Sequence, residues 1–259
     1  MRLRRGVRAL VTDPFETLLY VPEVVARQLD SAVSYDVKEE WGPAFHSLLN
    51  LPWPCPELDG LNAVWADIST RLGDQGLSFG RFTYGDYSDA DAGLGGAAWC
   101  AIRHLCPNVV VETGVARGAT SQVILEALSL NGAGHLWSID LPHPFAPELH
   151  WETAAAVPGR KHERWTYVHG SSRRRLPELL AQLGEIDLFL HDSLHTSRNM
   201  SFEMHHAWSR LRAGGLMLVD DVYNRAFRDF VKDVRPAASE VFRSADGTWM
   251  FGVVRKGST

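Results

Sequence analysis

The chain has 259 residues, 45% hydrophobic and 22% charged, which excludes a disordered, collagenous or low-complexity protein and leaves room for one large domain or two small ones. Lys plus Arg number 26 against 31 Asp plus Glu, a net charge of −5, so bulk attraction to nucleic acid or to an anionic membrane is not expected. Three cysteines (Cys55, Cys100, Cys106) without C-x-x-C spacing argue against a disulfide framework and for a reducing compartment, the cytoplasm. No apolar run approaches the roughly 20 residues that span a bilayer. The basic start is interrupted by Asp13 and Glu16 before any long apolar core, so it does not read as a signal peptide.

Residues 1–90 are irregular in pattern and proline-dense around 51–56, with helix-like stretches at 22–29 and 61–72 and no convincing strand alternation. They are expected to form a mainly helical extension that contributes substrate, lid or oligomer contacts; its aromatics make a homo-oligomer plausible. From 91 onward, short β-branched runs alternate with amphipathic segments. Asp91 can cap a helix through 97–105, stopped by Pro107. A strand at 108–113 and a helix at 121–128 follow, then strands at 135–140 and 165–169. A helix at 177–183 leads to a strand at 186–191. A long helix at 201–211 ends at Gly214 and Gly215 before a strand at 216–220. A helix at 226–234 precedes a closing strand pair, 240–243 and 248–254, turning at Asp246 and Gly247. This alternation predicts an α/β domain over 91–259 with a mostly parallel sheet covered on both faces and an antiparallel terminal hairpin.

In such sheets ligands bind beyond the carboxyl ends of the strands. The first strand ends in the pattern E-x-G-x-x-x-G, with Glu112, Gly114 and Gly118 followed by Ser121 at a helix start. It is neither a phosphate-cradling P-loop nor the G-x-G-x-x-G of dinucleotide folds. An acidic residue there repels pyrophosphate and suits a ligand carrying an ammonium group. Asp140, closing the next strand, can accept both hydroxyls of an adenosine ribose.

These residues resemble the class I S-adenosylmethionine-dependent methyltransferases over about 91–257. The resemblance implies a Rossmann-like seven-stranded sheet with its last pair antiparallel. It places Glu112, Gly114, Gly118 and Ser121 along the methionine portion of S-adenosylmethionine, Asp140 on the ribose, and Gly170 and Ser171 near the adenine; the product would be S-adenosylhomocysteine.

After the fourth strand come Asp192 and His195, and after the fifth Asp220 and Asp221. Adjacent strands lie about 4.8 Å apart, and two carboxylates about 4 Å apart repel by roughly 4 kcal/mol at an effective dielectric near 20. A divalent cation would keep such a cluster ionised, and all-oxygen ligation suits Mg²⁺ or Mn²⁺. Asp220 and Asp221 converge only if the chain turns there. The alternative makes Asp221 a helix cap and Asp220 a hydrogen-bonded strand-end carboxylate. His195, three residues after Asp192, can serve as a general base. This pattern resembles a narrower group, the metal-dependent sugar O-methyltransferases of macrolide-type natural products. In that group the matching positions bind Mg²⁺ (Asp192, Asp220, Asp221, with Asp192 also beside the cofactor) and supply the base (His195). The acceptor expected is a hydroxylated small molecule, a sugar or glycoside; a catechol-like phenol satisfies the same metal, and a non-catalytic adenosine-binding module is the alternative outside enzymes.

Three further features are weaker. Arg173, Arg174 and Arg175 read more readily as a solvated helix start than as an anion receptor. Trp53, Trp65, Phe79, Phe82, Tyr84 and Tyr87 fit a lid or core packing equally. The sequon at Asn199 lacks a secretory context.

Overall fold

The computed structural model describes residues 14–84, 88–142, 146–160 and 162–258. Tyr87 and the basic start lie outside the described residues.

The elements run α1 (Pro14–Leu29), β1 (Val37–Lys38), α2 (Trp41–Leu49), α3 (Leu58–Asp74), α4 (Ala92–Leu105), β2 (Val109–Thr113), α5 (Ala119–Asn131), β3 (His135–Asp140), β4 (Trp165–His169), α6 (Ser172–Leu183), β5 (Ile186–His191), α7 (Ser197–Arg210), β6 (Leu211–Val219), α8 (Arg225–Val234), β7 (Ala238–Arg243) and β8 (Met250–Arg255), with 3-10 turns at Pro147–Glu152 and Pro158–Arg160. The eight strands form one sheet in the order β1-β7-β8-β6-β5-β2-β3-β4. All neighbours are parallel except β8, which is antiparallel to both β6 and β7.

The expected seven strands are therefore present, with one addition. Val37 and Lys38 pair with Val241 and Phe242 at the sheet edge. Two residues carry too little alternation to register as a strand, and the pairing depends on a partner some 200 positions away. Helix α2 was also missed, and α1, α6 and α7 begin earlier than their apolar pattern. Asp91 caps α4 as expected, accepting from Gly93 N–H at 2.6 Å.

Alternate strand residues feed two cores. Val110, Leu188, Leu190, Leu216 and Leu218 pack beneath α2 to α5, in one cluster with Phe45, Ile68, Trp99 and Ile124. Val111, Phe189, Met217 and Val219 pack on the other face with Leu176, Met204 and Phe230 of α6 to α8. The N-terminal helices α2 and α3 thus share the sheet's own core. No helix among the described residues is long and apolar enough to cross a membrane.

Candidate active site

Sheet register sets the site. Ile139, Thr113, His191 and Val219 are paired in a row across β3, β2, β5 and β6. The next residue on each strand is Asp140, Gly114, Asp192 and Asp220. The ladder continues one step further: Gly114 N–H donates to Ile139 O, Asp192 N–H to Thr113 O, and Asp220 N–H to His191 O, at 2.8 to 2.9 Å. Strand order reverses between β2 and β5, the switch point where open α/β sheets bind ligands. Four strands at about 4.8 Å spacing give a row about 14 Å long, Asp140 at one end and Asp220 at the other.

Above this row lies a cavity of about 830 Å³. Gly114, Val115, Asp140, Ser171, Asp192, His195, Asp220 and Asp221 all line it. At Gly114 (φ 88°) an added Cβ would stand 1.9 Å from the Asp192 carbonyl oxygen. The glycine thus lets the loop after β2 press against the end of β5. Gly118 (φ 81°) faces the backbone of Ala154 and caps α5.

Other expected ligand contacts sit beneath the cavity wall. Glu112 is fully buried, accepting from Ser121 Oγ at 2.7 Å and Ser138 Oγ at 2.6 Å. Burial raises its carboxyl to about 7 despite those two bonds. Ser121 is thereby turned toward Glu112. Gly170 N–H donates to Asp140 O, and Ser171 N–H donates to Glu16 on α1. Asp140 itself accepts from Val115 N–H, and burial pushes it up to about 7.

At the other end of the row, Asp221 has φ 48°, so the chain does turn between the paired carboxylates. His195 Nε2 lies 3.8 Å from Asp192 and 3.6 Å from Asp220, while its Nδ1 lies 3.7 Å from Asp221. Ligand atoms of Asp192, His195 and Asp220 fall within 4.8 Å of one another; Asp221 approaches from the far side of the ring. Burial, and behind it the charge of neighbouring carboxylates, pushes Asp192 and Asp220 well above the ordinary range. Asp221 is raised to about 6 by burial and by Asp91. Burial, with the adjacent His191, lowers His195 to about 3 and keeps the imidazole neutral. Asp220 Oδ1 and His195 Nε2 are buried without a hydrogen-bond partner among the described residues. Crowded carboxylate oxygens are the donor set a hard divalent cation takes, and the unpartnered ring nitrogen beside them can accept a proton.

Residues the pattern did not reveal hold this arrangement. Tyr223 OH and Asn224 Nδ2 donate to the His195 carbonyl at 3.0 and 3.1 Å. Buried Glu203 on α7 accepts from Thr113, Ser193 and Asn199 and bonds His191 Nδ1 at 2.6 Å. Burial opposes its charge, but His191 and these bonds overcome that and hold it at about 2. Asn199 is therefore consumed inside the fold and is no glycosylation acceptor. His191 Nδ1 is engaged by Glu203, and its ring meets that of His195 edge-on, 5.3 Å between centroids.

Two walls come from the N-terminal region. Arg117, between the two loop glycines, pairs with Asp89 at 3.2 Å and with Glu152, and donates to the carbonyls of Ser78 and Thr83. It clasps the strap at 78–84 and 88–91, so that Phe79, Phe82 and Tyr84 line the cavity together with Trp65. Trp53 lies elsewhere, its ring 4.9 Å from that of His46. The second wall is α1, docked by charge. Glu23 accepts from Arg173, Arg198 and Thr196, and Glu16 pairs with Arg174. Arg173 and Arg174 thus seat α1, while Arg175 pairs with Glu178 on its own helix and stays partly exposed, as a solvated helix start would. Helix α1 was read only over 22–29 because its charged face points inward while Leu18, Val21, Val25 and Leu29 face out.

Residues 111–222 match a family described as a methyltransferase domain. No curated protein is significantly similar in sequence. Among solved structures, a provisionally assigned O-methyltransferase from Klebsiella pneumoniae superposes with TM-score 0.55 at 17% identity, covering 84% of this chain and 97% of that one. An O-methyltransferase from Bacillus cereus in complex with S-adenosylhomocysteine gives 0.54 at 13% identity, covering 83% and 98%. The O-methyltransferase TomG from Streptomyces achromogenes, involved in tomaymycin synthesis and bound to S-adenosylmethionine, gives 0.52 at 15%, covering 84% and 97%. The chain thus shares the fold of these O-methyltransferases, and its residues 111–222 match the methyltransferase-domain family.

Proposed function

We propose that the chain is an S-adenosylmethionine-dependent, divalent-metal-dependent O-methyltransferase acting on a hydroxyl of a sugar or glycosylated small molecule in the cytoplasm. The observation that carries this reading is the convergence of Asp192, His195 and Asp220, with Asp221 against the ring's other nitrogen, at one end of a strand row whose other end is Asp140. The nucleoside end fits the donor: Asp140 would accept from the ribose hydroxyls, Gly114 and Val115 would give the amino-acid portion close backbone approach, and Ser171 would lie toward the adenine. Glu112 would act from beneath, through Ser121 and Ser138. When bound, S-adenosylmethionine supplies the sulfonium methyl group, and Mg²⁺ or Mn²⁺ lowers the acceptor hydroxyl's pKa.

Asp192, Asp220 and Asp221 would hold the cation. His195, kept neutral and fixed through its carbonyl by Tyr223 and Asn224, would be placed to take the acceptor hydroxyl proton at Nε2. The apolar strap and α1 would exclude water. The exposed aliphatic stripe of α1 supports self-association of the chain.

The test incubates the purified chain with labelled S-adenosylmethionine against panels of glycosides and catechols. Transfer to a glycoside hydroxyl that EDTA abolishes and Mg²⁺ restores is expected. Full turnover in chelator removes the metal, preference for catechols removes the sugar, and tight donor binding without transfer to any acceptor favours a binding module.

A further inference from the structure

Away from the cavity, α2, the loop at 50–57 and the C-terminal half of α4 bring three donors within 4.8 Å of one another and a fourth, Cys100, beside Cys55. His46 lies on α2, Cys55 in the loop, and Cys100 and His104 one turn apart on one face of α4. Cys55 Sγ is 3.6 Å from Cys100 Sγ and 3.3 Å from His104 Nε2. Ligand atoms of His46, Cys55 and His104 all fall within 4.8 Å of one another. With Zn–S near 2.3 Å and Zn–N near 2.0–2.1 Å, the edges of a tetrahedral site are about 3.8 Å for S···S and about 3.6 Å for S···N. The two short separations observed are already close to those edges.

The tautomer of His46 supplies an independent pointer. The ring is fully buried, and Nδ1 lies 2.8 Å from the Gly42 carbonyl, which it can reach only as a donor. Nε2 then carries a lone pair, and it has no hydrogen-bond partner. An imidazole whose one nitrogen donates to a backbone carbonyl while the other waits unpartnered beside the Cys55 thiol is oriented as metal-binding histidines are. Cys55 and Cys100 are buried and free, whereas Cys106 is exposed and outside the group. Two thiolates would neutralise a divalent cation in this apolar setting, and sulfur and nitrogen donors select against Mg²⁺.

We propose that His46, Cys55, Cys100 and His104 form a structural zinc site that staples α2 and the proline-rich loop to α4. The site is closed by four protein ligands and lies apart from the acidic cluster, so its role is to hold the N-terminal helices on the sheet.

The reduced full-length chain, stripped of metal, is titrated with Co²⁺ and then Zn²⁺. The expected result is a near-ultraviolet thiolate-to-cobalt band that saturates at about one equivalent per chain and is displaced by Zn²⁺. Zinc at a hundredfold excess over its dissociation constant should raise the thermal midpoint by roughly 5–10 °C. Cys55→Ser and Cys100→Ser should lose the band; Cys106→Ser and Asp220→Asn should keep it, the latter separating this site from the acidic cluster. If a serine variant fails to fold, the wild-type titration decides. No charge-transfer band from chain with free thiols overturns the proposal, as does a band that survives Cys55→Ser, or recovery of a Cys55–Cys100 disulfide from the zinc-treated chain.

Discussion

Gly114→Ala is expected to damage stability and site together, because one added carbon would strike the Asp192 carbonyl. Its Cβ would lie 1.9 Å from that oxygen, 2.5 Å from the carbonyl carbon and 2.9 Å from Ser193 N, whereas ordinary contact begins near 3.4 Å. The loop after β2 and the end of β5 would have to part by about 1.5 Å. Overpacking of this kind costs about 1–3 kcal/mol, and holding alanine at φ 88° adds about 1–2 kcal/mol. A total of about 2–5 kcal/mol is expected in urea denaturation at unchanged m-value. Since a 1 Å displacement of reacting groups costs on the order of a hundredfold, kcat/KM of the proposed transfer should fall at least that far, with weaker S-adenosylhomocysteine binding by calorimetry. Gly132→Ala is the control: φ is 66° and nothing lies within 4 Å, so only the backbone cost of about 1–2 kcal/mol remains. If Gly114→Ala loses no more stability than Gly132→Ala and binds the cofactor product equally, the close approach to Asp192 is not what demands a glycine.

Arg117→Met should cost about 3–5 kcal/mol, since it leaves Asp89 and Glu152 buried without their partner; a loss below about 1 kcal/mol in urea denaturation would contradict the clasp. Glu203→Gln tests the network under the acidic loop through its pH dependence. The folded carboxyl sits at about 2, below the ordinary range, so its contribution is complete above about pH 5 and fades as pH falls toward 2. The stability gap between wild type and variant should therefore be widest near neutrality and narrow in acid, and a gap that grows on acidification is the wrong sign. Glu23→Ala should release α1, raising the rate of tryptic cleavage at Arg27 roughly tenfold with little change in the global thermal midpoint; an unchanged digestion pattern would place the anchoring of α1 elsewhere.

Much of the sheet was readable because buried parallel strands are short apolar runs that end in polar residues, and in this chain those polar residues are the candidate site. Once Ile139, Thr113, His191 and Val219 are aligned, the row Asp140, Gly114, Asp192 and Asp220 follows from register alone. Pattern reading failed where a residue's role depends on distant partners. Nothing in the pattern showed that Glu112 would share one carboxylate oxygen with Ser121 and Ser138. Arg117 lay unnoticed between two glycines because its carboxylate partners are 28 positions before it and 35 after it. Val37 and Lys38 are a strand only by virtue of β7. Helix α1 defeats the usual reading, since charge rather than apolar surface faces the protein.

The two N-terminal walls of the cavity differ in what holds them. The Arg117 guanidinium is 4% exposed, sealed from mobile ions. Glu23 is equally buried, but one of its two arginine partners, Arg198, has a side chain 45% exposed. Dissolved electrolyte weakens the second kind of contact far more than the first. Raising ionic strength is therefore expected to weaken the Arg198 end of the helix wall before it touches the strap, a difference that a probe of helix release against added salt would read.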